Sequence, residues 1–192
     1  MAHFFDYSRP NGYLEITKIQ DGVSEVIFSD YNDICIGMGQ TLAGLFDPAN
    51  VDSAGGPKTI QDFQIGYFQL GKGTGTDGSA TRALTSPFNG ADYGTNTNLS
   101  LDYRYVYKAT PALQAMAVMS NSQVTPGSDD RITFSINLGS NDANTTLSEI
   151  AMLSNQPITG LERYSPIVAY RTFPTITKTT SFSLNIKWTI EF

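Results

Sequence analysis

Histidine, cysteine and charge are all scarce in this 192-residue chain, and each scarcity removes a class of function. The single histidine is His3. A Ser-His-Asp or Cys-His arrangement would have to use it, and residue 3 is a poor place for a catalytic base, so hydrolase triads drop out. The single cysteine, Cys35, cannot close an internal disulfide. Its setting in Ile34-Cys35-Ile36 predicts a small core residue rather than a nucleophile. One His and one Cys do not supply the usual nitrogen and sulfur ligands of a zinc site. Charged residues make up only 16% of the chain, against the usual figure of about a quarter. The net charge is −6, and Lys and Arg form no run. Without a basic stripe to displace counterions, no nucleic-acid partner is expected, and an anionic membrane surface is disfavoured on the same ground. No apolar stretch reaches the about 18 residues of a membrane span, and Met1-Ala2-His3-Phe4-Phe5-Asp6 lacks a basic leader. The expectation is a soluble chain made in a reducing cytoplasm.

What is present is strand patterning. Hydrophobic residues are 40% and aromatics 11%, enough for a sizeable core. Phe182, Leu184, Ile186, Trp188, Ile190 and Phe192 fall on one parity, with Ser183, Asn185, Lys187, Thr189 and Glu191 on the other. That period of two predicts a strand with one buried and one wet face. Ile132, Phe134, Ile136 and Leu138 repeat the pattern, as do Leu99, Leu101, Tyr103, Tyr105 and Tyr107. Weaker strands are expected near Tyr13–Lys18, Ser24–Phe28, Asp62–Leu70, Leu113–Met119, Leu147–Leu153 and Pro166–Phe173. Pro166 and Pro174 bracket the last, so it is expected to be short or at a sheet edge. The one helix expected is Gln40–Phe46, stopped by Asp47-Pro48. The fold class is therefore all-β: a single antiparallel β-sandwich domain over 1–192, jelly-roll-like, with at most one or two short helices.

Two segments interrupt the pattern, 47–60 and 72–98, both rich in Gly or Pro. The second is far longer than a usual connection. It carries four charges (Lys72, Asp77, Arg82, Asp92) and three apolar anchors, Leu84, Phe88 and Tyr93. Two readings follow. It extends as an arm onto a neighbouring chain, making Leu84, Phe88 and Tyr93 subunit-interface residues, or it folds back as an Ω-loop on its own domain. The arm is the expectation carried forward. The low-charge surface agrees with it, since few charges need desolvation when a protein docks; an ordinary β protein rich in Thr and Asn turns has the same composition.

Motifs of chemistry are thin. Gly66-Tyr67-Phe68-Gln69-Leu70-Gly71-Lys72 reads as the start of a P-loop, but Gly73 stands where Ser or Thr should bind Mg²⁺, and Tyr-Phe-Gln-Leu is strand-like. Asp129-Asp130 is a turn entering a strand rather than a glycosidase pair. The oxygen-rich loop Gly139–Thr146 offers Asp142 and Asn144 to a calcium ion, with Glu149 just beyond it, but without EF-hand spacing, so a hairpin turn is expected. Tyr103, Tyr105 and Tyr107 form a row that either stacks on a sugar or packs in the core. No cofactor, metal or catalytic residue is expected.

The order of segments carries a resemblance. Gly12-Tyr13-Leu14-Glu15-Ile16 is followed by Asp33-Ile34-Cys35-Ile36-Gly37, a short helix, and Ile65–Gly75. Then come Arg131–Leu138, Leu147–Leu153, Ile167–Pro174, Lys178-Thr179 and the closing Trp188-Thr189-Ile190-Glu191-Phe192. From about Tyr13 onward this succession resembles small structural proteins of tailed bacteriophages, cyanophage-like in particular. The resemblance implies a non-enzymatic virion component of the tail, baseplate, fibre-attachment region, neck or head decoration. Its partners would be its own copies and other virion proteins, with a host glycan as an alternative ligand. Within such a sandwich, Arg171 shares a parity with Ile167, Ala169 and Phe173, and a structural ion pair between Arg171 and Glu149 is expected.

Overall fold

Ten strands and one α-helix make up the regular structure of the described residues, which are 10–46, 64–78, 80, 81, 83–94, 99–104, 112–118, 124–126, 130–154 and 167–192 of this computed structural model. The strands are β1 (Asn11–Gln20), β2 (Val23–Asp33), β3 (Ile65–Gly71), β4 (Leu99–Arg104), β5 (Ala112–Val118), β6 (Val124–Pro126), β7 (Arg131–Leu138), β8 (Thr146–Ser154), β9 (Ile167–Thr177) and β10 (Ser183–Glu191). The helix α1 (Ile36–Phe46) follows β2, and a short 3-10 turn occupies Gly90–Tyr93. The strands form two antiparallel five-stranded sheets, in the orders β2-β1-β10-β7-β6 and β4-β5-β3-β8-β9. The chain is thus the all-β sandwich that the alternation predicts.

The first sheet is built on β10. Its register places Leu14, Trp188 and Phe134 abreast, and Ile16, Ile186 and Ile136 in the next row. All six are buried and meet Phe68, Leu70, Ile150, Met152 and Ala169 of the second sheet. Outward residues of the same strands are polar: Thr133 and Thr189 share a hydroxyl hydrogen bond of 2.8 Å, and Glu15 lies 3.9 Å from Lys187. The β1–β2 hairpin turns through Asp21 and Gly22, both at positive φ (52° and 78°), the geometry that matches strand twist in a two-residue turn.

Asn32 ties the sheets together at one edge. Trp188 Nε1 donates to Asn32 Oδ1 (3.0 Å), and Asn32 Nδ2 donates to the Tyr170 carbonyl (3.3 Å). A Cβ on Gly12 would stand 2.3 Å from Asn32 Oδ1 and 2.8 Å from Trp188 Nε1, so residue 12 must lack a side chain for this bond to exist. Just beyond, Ile34 bridges Ala169 and Cys35 N–H donates to the Val168 carbonyl (2.9 Å), bringing α1 against β9.

β8 is buried on both faces over its whole run from Leu147 to Ser154, unlike the alternating β7 and β10. Its inner face meets the first sheet. Its outer face, with Ala151, Leu153, Ile167 and Tyr170, is covered by Leu84 and Cys35. β9 continues through Pro174 to Thr177, beyond the expected end, because it is the sheet's edge and the missing N–H of proline costs no ladder bond there.

Candidate functional site

The segment after β3 settles the question of the arm. Lys72 N–H donates to the Ser86 carbonyl (2.9 Å) and Phe88 N–H to the Leu70 carbonyl (2.8 Å), so the chain returns alongside the strand it left. Leu84, Phe88 and Tyr93 are 5%, 1% and 0% exposed within their own chain. Phe88 and Tyr93 meet edge-on, 5.2 Å apart, inside the main core. The Tyr93 hydroxyl accepts from Leu70 N–H (3.0 Å). These three residues are therefore not subunit-interface anchors: their apolar surface is spent covering their own sheet. The described part of 72–98 is the Ω-loop alternative. Segment 47–60 lies outside the described residues, as do Tyr105 and Tyr107.

Glu149 holds this loop. Its carboxylate is fully buried and accepts from Gly73 N–H (3.0 Å) and Ser86 N–H (2.7 Å) on Oε1, and from Thr85 N–H (2.9 Å) and the Tyr170 hydroxyl (2.9 Å) on Oε2. Three backbone amides turned on one carboxylate form an anion nest whose anion is part of the chain. Gly73 must be glycine, since a Cβ there would lie 2.4 Å from Oε1. The expected Glu149–Arg171 pair does not form. Arg171 stands opposite Ile150, and successive strand residues point to opposite faces, so Tyr170, not Arg171, reaches Glu149.

Arg171 instead pairs with Asp30 of β2, and its Nη1 lies 3.2 Å from Asp77 Oδ2. Asp77 is fixed by the backbone N–H of Thr172 (2.6 Å) and its hydroxyl (3.0 Å). Asp30 and Arg171 are 141 residues apart in sequence, and no local pattern signals their meeting. The three side chains lie along an open groove of about 440 Å³ between β2, β9 and the loop 73–77.

A second buried charge sits at the β7–β8 turn. Lys178 Nζ donates to the carbonyls of Gly139 (2.6 Å) and Ser140 (3.4 Å) and to Asn144 Oδ1 (3.1 Å). This is the loop that sequence alone offered to calcium, and of the side chains offered Asn144 is the one Lys178 engages. The ammonium occupies that part of the loop, which is a turn but not the hairpin expected: β7 and β8 belong to different sheets, so it carries the chain across the sandwich. Among the described residues no cluster of three or more His, Cys, Asp or Glu is placed to hold a metal, and no helix is long and apolar enough to cross a membrane.

Burial pushes the Tyr93 and Tyr170 hydroxyls well above their ordinary value of 10.0, and the Glu149 carboxylate adds to the shift at Tyr170. A raised folded value means that the contribution to stability is intact below pH 10 and is lost above it, where the unfolded chain releases protons the folded chain keeps. Stability should fall above pH 10 by up to about 1.4 kcal/mol per pH unit for each tyrosine. Urea midpoints on either side of that pH check this, and Tyr93→Phe should halve the slope.

Among the described residues, most exposed large apolar side chains lie in one stretch of chain, 23–46: Val23, Val26 and Tyr31 on β2, and Ile36, Leu42, Leu45 and Phe46 on α1, with Val23 at 68% and Phe46 at 79% exposure. β2 is an edge strand of eleven residues, and no described strand pairs with its outer side over Val23–Phe28. It has one bulge against β1 but neither Lys nor Pro, the residues that commonly blunt an edge.

Compared with known proteins, the chain matches no family model, no curated protein and no solved structure. The likeness to phage structural proteins thus rests on the order of its sequence segments.

Proposed function

We propose that the chain is a structural component of a tailed-phage virion, in the tail, baseplate or fibre-attachment region, and that it works by binding its own copies and neighbouring virion proteins. The observation that carries this reading is the stretch 23–46, where a long open edge strand and a helix between them expose seven large apolar side chains. An open strand edge can accept a further strand, and an exposed apolar helix face accepts a partner. Two internal features are in keeping with a scaffold. The buried carboxylate Glu149 is engaged by four donors, and the buried ammonium Lys178 by backbone and side-chain oxygens. Both fix loops on the sandwich, as a rigid assembly unit requires.

The test is solution mass together with particle content. The purified chain should be oligomeric. Val26→Asp or Phe46→Asp should weaken association about thirtyfold or more, the loss of an interface hot spot of about 2 kcal/mol, with the urea midpoint unchanged. Particles of the phage encoding the chain should contain it at a fixed copy number. A monomer at all concentrations that is missing from such particles contradicts the reading.

A further inference from the structure

We propose that the groove between β2 and β9 is a binding site for a neutral saccharide. Three charged, planar groups line it: the Arg171 guanidinium, with Asp30 paired to it from one strand and Asp77 from the loop. They are held in place before any ligand arrives. Asp77 is bonded to both the backbone and the hydroxyl of Thr172, and Arg171 is clamped between the two carboxylates. Pre-placed polar groups of this kind bind without an ordering cost.

The charge pattern selects the ligand class. Two carboxylates and one guanidinium sum to a formal −1, which disfavours phosphate, sulfate or a uronic acid. A cationic side chain would meet the guanidinium between the two acids. A polyol carries no charge, and its hydroxyls donate to carboxylates and accept from guanidinium. Phe28 and Pro174 supply apolar surface for the C–H face of a sugar ring. The volume of about 440 Å³ falls in the range of small-ligand pockets, and the groove opens to solvent, so the end or branch of a longer glycan fits as well as a free sugar. This inference uses one chain's residues and does not rest on the assembly reading.

The test is saturation-transfer NMR on the full chain with millimolar methyl glycosides of glucose, galactose, mannose, rhamnose and N-acetylglucosamine and their disaccharides. Glucuronic acid and lysine amide serve as anionic and cationic controls. At least one neutral sugar should receive transfer, and the controls none. Thr74→Lys, at an exposed position of the groove wall, brings an ammonium that competes for the groove carboxylates and should reduce affinity at least about tenfold while leaving the urea midpoint unchanged. Asp77→Asn should weaken the same sugar. No transfer to any neutral sugar, transfer that survives Thr74→Lys undiminished, or binding confined to lysine amide would each overturn the proposal, the last by making the groove a receptor for a protein side chain.

Discussion

Replacing Glu149 with alanine is expected to remove about 4–5 kcal/mol of stability, a large share of the about 5–15 kcal/mol that holds a folded domain together. The substitution strands the amides of Gly73, Thr85 and Ser86 and the Tyr170 hydroxyl in a buried site. Each orphaned donor costs about 1–3 kcal/mol, reduced where water enters the space left behind. Glu149→Gln separates charge from shape. One oxygen still accepts from Gly73 and Ser86, and the Tyr170 hydroxyl can turn to accept from the new amide, but Thr85 N–H faces a donor. A loss of about 2 kcal/mol follows. Urea unfolding at neutral pH gives both values. A loss below about 1 kcal/mol for the alanine variant would mean that the loop is not hung on this carboxylate.

Lys178→Ala should cost about 3 kcal/mol, because the carbonyls of Gly139 and Ser140 and the Asn144 side chain lose a charged donor. The loss should spread beyond the turn. Ala143 N–H donates to the Tyr93 carbonyl (3.2 Å) and Gly94 bridges Asp142, so the turn supports the end of the Ω-loop. Lys178 also has a pH signature. Burial lowers its ammonium below the ordinary 10.5, partly offset by Asp142. Between that lowered value and 10.5 the unfolded chain binds the proton that the folded chain releases, so the Lys178 contribution rises with pH across the window. Lys178→Met lacks this rise. The stability difference between wild type and Lys178→Met should therefore widen as pH approaches 10.5 from below, in the opposite sense to the tyrosines.

Where one face is wet and the other dry, the fold is legible in the sequence. β7 and β10 are such strands, and their alternation places Phe134, Ile136, Leu184, Ile186, Trp188 and Ile190 in the core. β6 has three residues, too few to show a period. The full length of β2 escapes a periodic reading because the bulge near Ile16 and Thr17 breaks its parity, although Asp21-Gly22 is a hairpin signal. Long loops are harder still. Leu84, Phe88 and Tyr93 mark 72–98 as anchored, but an anchor carries no address, and inter-chain and intra-chain anchors have the same composition. The address was written elsewhere, in Leu147-Ser148-Glu149-Ile150-Ala151-Met152-Leu153. A strand that does not alternate is covered on both sides. Something must therefore lie over its outer face, and a lone acid within it must find donors there. The Arg171, Asp30 and Asp77 constellation had no such trace, because its members come from three elements joined only by tertiary packing.

The anchors of 72–94 thus face inward, against the expectation of an arm, while β2 and α1 carry the exposed apolar side chains. Hydrogen–deuterium exchange of the free chain and of the chain within its assembled particle separates them in one measurement. Amides of Lys72, Thr85, Ser86 and Phe88 should already be slow in the free chain and unchanged on assembly, while those of Val23–Phe28 and α1 should slow on assembly by about thirtyfold or more, the protection given by about 2 kcal/mol of local interface energy. Fast exchange at Thr85 and Ser86 in the free chain, slowing only in the particle with β2 unaltered, would contradict the account and restore the loop as the arm.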